Sequence, residues 1–127
     1  MSGGRYILIL SSAEVQDITS RIPVSLLLDT IQSALCTFSQ RPQTTQAPHR
    51  SSIYSENHTT LFMPSRIESI PTTCVKVVAV PKHDEPSGIP ATTLVMGDAT
   101  GCVDAVVNAR SLTALRTAAG MKIKLSI

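Results

Sequence analysis

A chain of 127 residues has the size of one domain, long enough for a real core and too short for two. Its apolar content of 43% is that of a globular protein and excludes wholesale disorder. Aromatic residues make up 3%, tryptophan is lacking, and the net charge of +2 comes without a basic block, so the chain offers no footprint for nucleic acid or an anionic membrane surface. Cys36, Cys74 and Cys102 are odd in number and contain no C-x-x-C pair, which points to buried free thiols in a reducing compartment rather than to a disulfide framework or a zinc site. The apolar run Tyr6–Leu10 is too short for a signal peptide or a membrane span. The chain therefore reads as cytoplasmic, and the sequon Asn57-His58-Thr59 as coincidental.

In chain order, Tyr6 to Leu10 predicts a short buried strand. Ser11 and Glu14 form a capping box that starts a helix ending near Ser20. Pro23 suits the first position of a second helix. In that helix Val24, Leu27, Leu28, Ile31, Leu35 and Phe38 recur at three and four, which predicts one buried face. Arg41 to Ser52 reads as a loop rich in Pro, Gln, Thr and Ser. Strand material follows around Arg50–Tyr54, with a turn at Ser55–Asn57 and a returning strand Thr60–Met63 before Pro64. Ser65 to Pro71 reads as a second connection. Thr73 to Val80 predicts a long strand, and Lys82 to Gly88 a solvated loop. Thr92–Gly97 and Cys102–Asn108 form a hairpin through Asp98-Ala99-Thr100-Gly101. Last comes a helix with Leu112, Leu115 and Ala119 on one side and Ser111 or Thr113 as its cap. The sum is an α+β domain with a mixed, largely antiparallel sheet of about six strands, two N-terminal helices and a C-terminal helix.

Three cations stand on three separate elements, Arg50, Lys76 and Arg116. Lys76 sits inside an otherwise apolar strand, where an unpaired ammonium is costly to bury; the plain alternative is an edge-strand lysine reaching water. Arg116 falls in or near the first turns of the last helix, where free N–H groups and the helix dipole favour anions. The plain alternative there is an amphipathic helix with one solvated arginine. Arg41 and Arg66 read as surface charges, Asp98 as a turn residue and Asp104 as an outward strand residue. His49, His58 and His83 lack the spacing of a metal site.

The strand lysine, the Gly88-Ile89-Pro90 and Thr93–Met96 segments, the Asp98–Gly101 turn and the string Leu-Thr-Ala-x-Arg-Thr-Ala-Ala from Leu112 to Ala119 follow in an order that resembles the N-terminal half of the ornithine cyclodeaminase/mu-crystallin family. The resemblance runs from about Leu8 to Ala119. It implies a substrate-binding and dimer-forming domain over residues 1–119, in which Arg50, Lys76 and Arg116 hold the carboxylate of an amino or imino acid, Lys76 also serving catalysis as proton donor or anchor. It implies an NAD or NADP cofactor, with hydride transfer at the carbon carrying nitrogen. It also implies a homodimer built by joining the sheets of two domains, without which Val-rich edges such as Val75 to Val80 would stay open.

Two departures accompany the resemblance. Residues 120–127 read as an atypical, truncated tail, and no G-x-G-x-x-G occurs, so the Rossmann half and tight binding of a dinucleotide are not expected of this chain. Met63-Pro64 follows Leu61-Phe62 where the diamine-handling members carry an acid, and Glu56 lies further back in a turn, which favours an acid with an apolar tail over a diamino acid. The chain thus reads as part of an amino- or imino-acid oxidoreductase or cyclodeaminase, inactive by itself. The other reading is a non-catalytic dimerising or ligand-binding relative.

Overall fold

The computed structural model describes residues 5–84 and 88–125. Its elements follow in the order β1 (Leu8–Leu10), α1 (Ser12–Ser20), α2 (Val24–Gln40), a 3-10 turn (Pro42–Thr44), β2 (Thr45–Gln46), β3 (Ser51–Tyr54), β4 (His58–Ile67), β5 (Thr72–Pro81), β6 (Ala91–Gly97), β7 (Val103–Asn108) and α3 (Arg110–Leu125). One seven-stranded sheet runs β1-β7-β6-β5-β4-β2, with β3 also paired to β4. Every pairing among these is antiparallel except that of β1 with β7. The class is α+β, as the element pattern predicts.

Local chemistry explains most boundaries. Ser11 Oγ accepts the N–H of Glu14 at 3.2 Å and starts α1. The β6–β7 hairpin closes where Gly97 N donates to Cys102 O at 3.0 Å and Gly101 N to Gly97 O at 2.8 Å. Gly101 takes φ +69°, a left-handed conformation that a side chain disfavours. Among the described residues no single helix is long and apolar enough to cross a membrane.

Several sequence expectations are corrected. β4 does not stop at Pro64 but continues to Ile67, through the stretch read as a connection. Its outer side explains why: β3 pairs with Thr59–Phe62 and β2 with Arg66–Ile67, so Pro64 lies in the gap between two partner strands, where a missing N–H disturbs the ladder least. Pro23 stands one residue before α2. β1 is an edge strand and exposed rather than buried, with Leu8 and Ile9 58% and 70% accessible. The apolar stripe of α2 is only half covered, and no residue of that helix is buried. β5, in contrast, is an interior strand paired along both sides, not an open edge. The loop read from Lys82 to Gly88 is described only at Lys82–Asp84 and Gly88; its centre lies outside the described residues.

The helices share one side of the sheet. Register places Met63 and Ser65 beside Lys76 and Cys74, with Thr93 next in line. These side chains face α2 and α3, since Leu27, Ile31, Leu112 and Leu115 line the same cavity. α1 packs on α3 and β7. The alternate positions, Phe62, Val75, Val77, Leu94 and Val106, form an apolar face that carries none of the three helices. Among the described residues only Val15, Ala91, Ala109 and Ala119 are buried, all small or medium in size.

Candidate functional site

α3 begins earlier than the sequence suggests, and this sets the site. Its first N–H, that of Arg110, is accepted by Asn108 Oδ1 at 3.2 Å, so neither Ser111 nor Thr113 caps it. Both are helical residues, and the Ser111 hydroxyl is buried without a hydrogen-bond partner among the described residues. Thr113 instead turns back on its own helix, where Oγ1 donates to Ala109 O at 3.1 Å. Arg116 consequently lies in the second turn, away from the free N–H groups at the helix start, so those groups are not part of its setting. The helix also runs on through Gly120 to Leu125. A glycine there costs about 1 kcal/mol relative to alanine, too little to end a helix that is packed on its neighbours.

Lys76 projects from the middle of β5 toward α3. Its Nζ donates to Thr113 Oγ1 at 2.6 Å. The edge-strand alternative therefore falls, because the strand is interior and the ammonium has a partner. Burial pushes the Lys76 pKa below its ordinary 10.5, and the Arg116 guanidinium lowers it further. Two cations from separate elements thus feel one another across a cavity of about 560 Å³. The cavity walls are otherwise mostly apolar, with Leu27 and Ile31 from α2, Met63 and Pro64 from β4, and Leu112 from α3. Among the described residues none of those lining it is acidic. The cavity is open to solvent and Arg116 itself is exposed, so the site is a half-covered, mostly apolar-walled cleft whose two cations can take a ligand with one carboxylate and an apolar remainder.

Cys74, two residues before Lys76 on the same face of β5, also lines the cavity, and burial raises its thiol pKa above 9.0. All three cysteines are free, but Cys36 and Cys102 are exposed, contrary to the expectation of buried thiols. Arg50 is exposed, one residue before β3, and is not among the cavity-lining residues, although Ala47 and Pro48 of the same segment are. Glu56 lies in the exposed turn before β4. Arg66 is no free surface charge: it is half-buried and pairs with Asp98 in the β6–β7 turn, spanning β5. Asp104 is outward, as read, and pairs with Arg5 at 3.6 Å. Among the described residues no group of three His, Cys, Asp or Glu side chains could hold a metal.

Sequence reasoning missed Thr113 as a site residue, treating it as a cap. The available signal was its spacing, three positions before Arg116, which places both on one side of a helix.

Two strand-to-helix turns could in principle receive a pyrophosphate, β1–α1 through Ser11 and β7–α3 through Ala109. Neither contains a glycine, and the sheet beside them is mostly antiparallel, unlike a glycine-rich dinucleotide turn on a parallel sheet.

No curated protein sequence matches the chain. Among solved structures, it resembles the Δ1-pyrroline-2-carboxylate reductase of Thermococcus litoralis, in complex with NADH and L-proline, at 26% identity and TM-score 0.76, over 91% of this chain and 36% of that one. An archaeal alanine dehydrogenase dimer with bound NAD matches at 23% identity and TM-score 0.74, over 90% of this chain and 34% of that one. The probable ornithine cyclodeaminase of Bordetella pertussis Tohama I shares the fold at 18% identity and TM-score 0.72, over 90% and 34%. The chain spans about a third of the length of these proteins. The sequence pattern of the ornithine cyclodeaminase/mu-crystallin family covers residues 10–124, and the chain belongs to that family.

Proposed function

We propose that this chain is the substrate-binding and dimer-forming part of an NAD(P)-dependent oxidoreductase or cyclodeaminase acting on an amino or imino acid, with Lys76 and Arg116 as its carboxylate ligands. The observation that carries the reading is their convergence on one apolar-walled cavity, close enough for Arg116 to depress the Lys76 pKa. Like charges facing each other without an anion are strained, and a carboxylate relieves that strain while Arg116 fixes its plane. With the anion bound, the Lys76 ammonium is favoured again and can hold a proton beside the reacting end of the ligand. Arg50 is a third cation that would join the ligand from the 47–50 segment, whose Ala47 and Pro48 already form part of the wall.

The apolar, acid-free lining favours a substrate without a distal amine. The reductase with L-proline supports this, since proline combines one carboxylate with a ring that is hydrocarbon apart from its α-nitrogen and carries no distal amine. The family's cofactor, NAD or NADP, supplies hydride chemistry. The strand-to-helix turns described here carry no glycine, which supports a cofactor site formed by residues other than these. That same observation favours a second reading, a dimerising protein that binds a small carboxylate without catalysis; both use the same cavity.

The open sheet face supports the homodimer, as does the apolar exposure of Tyr6, Ile7, Ile53 and Tyr54 near the sheet edges. The alanine dehydrogenase dimer lends it further support. Three free thiols favour a reducing compartment such as the cytoplasm.

Thermal melts test the carboxylate reading. L-Proline and pyruvate should raise the melting temperature of the wild-type chain well beyond the effect of sodium chloride at equal ionic strength. Equal responses to chloride and carboxylate would overturn it.

A further inference from the structure

We propose that Thr113 is a positioning residue, which sets Lys76 in register with Arg116 so that the two cations act as one carboxylate clamp. The proposal deepens the carboxylate reading above and rests on it.

A threonine hydroxyl has one hydrogen and two lone pairs. The Thr113 hydrogen goes to Ala109 O at 3.1 Å. A lone pair is thereby left for Lys76 Nζ at 2.6 Å, which makes the lysine the donor. An ammonium carries three hydrogens, so two remain for a ligand after one is spent on Thr113.

The anchor matters because lysine is a point charge on a flexible four-carbon stem. Arg116 repels that charge, and burial disfavours it. Left alone, both effects drive Nζ away from the guanidinium or strip its proton. Thr113 opposes both. It lies three residues before Arg116 on α3, so the two side chains are neighbours on one helix face, with Cβ atoms about 5–6 Å apart. A hydrogen bond to an ionised donor also favours the charged form. Position and proton are thus held by one contact. Among the described residues, Thr113 is also the residue shared by the carboxylate cavity and a second cavity beneath the other flank of α3, so it stands in the wall between them.

The hydroxyl is not needed to build the helix. Ala109 O already accepts the Thr113 backbone N–H at 3.2 Å, so no carbonyl is orphaned when the side-chain bond is lost. Valine keeps the branched shape, and Thr113→Val removes the lone pair and little else.

The test uses the full chain with ¹³C-labelled lysine. The chain has four lysines, Lys76, Lys82, Lys122 and Lys124, and Lys76→Met identifies the signal of interest. The Lys76 titration and the affinity for L-proline at neutral pH are measured in wild type, Thr113→Val and Thr113→Ser. Thr113→Val should lower the Lys76 pKa below its wild-type value and weaken L-proline binding about tenfold or more. Thr113→Ser, which restores the acceptor, should recover both. Unchanged titration and affinity in Thr113→Val would overturn the proposal, as would a lowered melting temperature with an unmoved Lys76 titration, the signature of a purely structural threonine. If Thr113→Val fails to fold, Thr113→Ala also lacks the hydroxyl and carries the same expectations. If the wild type binds neither L-proline nor pyruvate while Thr113→Val still lowers the Lys76 pKa, the anchoring stands and the carboxylate reading falls.

Discussion

Replacing Lys76 with methionine separates the two roles that a half-buried lysine can have. Methionine keeps the length of the stem and places an unbranched apolar group among Leu27, Met63 and Leu112, which already line the cavity. Thr113 loses an incoming hydrogen bond but keeps the one it donates to Ala109 O. A charge disfavoured by burial and by Arg116 disappears. The unliganded Lys76→Met protein should therefore melt at the wild-type temperature or slightly above it. The liganded state behaves differently. At a carboxylate concentration a hundredfold above its Kd, the wild type gains about 2.7 kcal/mol. For a domain of this size that corresponds to roughly 8–13 °C in melting temperature. Losing one charge-assisted contact of about 1.5–3 kcal/mol weakens binding roughly 10- to 150-fold. After a hundredfold loss the same ligand concentration leaves about 0.4 kcal/mol, or roughly 1–2 °C. Differential scanning fluorimetry with L-proline resolves these values. A full carboxylate response in Lys76→Met would refute the role of Lys76 as a ligand. Unfolding of the variant without ligand would show instead that the ammonium holds the domain together.

The other perturbations address the same geometry from different sides. Arg116→Gln should abolish the carboxylate response and move the Lys76 titration up toward 10.5, because one of its two depressing causes is gone; ¹³C NMR of the lysine carbons reads the shift. Stability should depend on pH through Lys76 in a defined sense. Between its lowered folded pKa and 10.5 the unfolded chain holds a proton that the folded chain has released, so folding gains from Lys76 as pH rises through that window and carries the full penalty below it. Cys74 acts in the opposite sense above 9.0, where the unfolded thiol ionises before the folded one, so urea melts of wild type against Lys76→Met isolate the lysine. A difference between the two proteins that stays constant up to pH 10.5 would contradict the depressed lysine. Val77, on the helix-free face of β5, supplies the test of assembly: the wild type should sediment as a dimer and Val77→Glu as a monomer, and a persistent dimer in the variant would place the interface elsewhere.

Much of this was legible in the sequence where local chemistry decides. Ser11 with Glu14, the Asp98–Gly101 turn and the strand alternation around Lys76 each specify their structure within a few residues. The α3 start was misread because Ser111 and Thr113 are both capping residue types, whereas Asn108, just upstream, supplies the acceptor for the first N–H and leaves Thr113 inside the helix, free to accept from Lys76. Pro64 reads as a strand end until two short strands are seen to flank it. Covering the apolar stripe of α2 is a tertiary question, and so is the finding that the face of Val75 and Val77 carries none of the three helices. The pairing of Arg66 with Asp98 bridges three strands, which sequence spacing does not encode. The convergence of Lys76 and Arg116 was readable only through the family pattern, since forty positions separate them; Arg50 came from the same pattern and lies beside the wall residues Ala47 and Pro48 without itself lining the cavity.

The parallel pairing of β1 with β7 has a consequence for how the chain is made. Leu8 is matched with Ala105, roughly a hundred positions later. At ribosomal rates of about 5–20 residues per second, the Tyr6–Leu10 segment waits on the order of 5–20 s for the strand it will join. During that interval it is a short run of aromatic and branched residues with no cognate ladder, the kind of segment that chaperones bind and that seeds association between nascent chains. The hairpins among β3 to β7 pair near neighbours in sequence and close without that delay. Hydrogen exchange should find the amides of β1 the least protected of any in the sheet, and the last to gain protection during refolding.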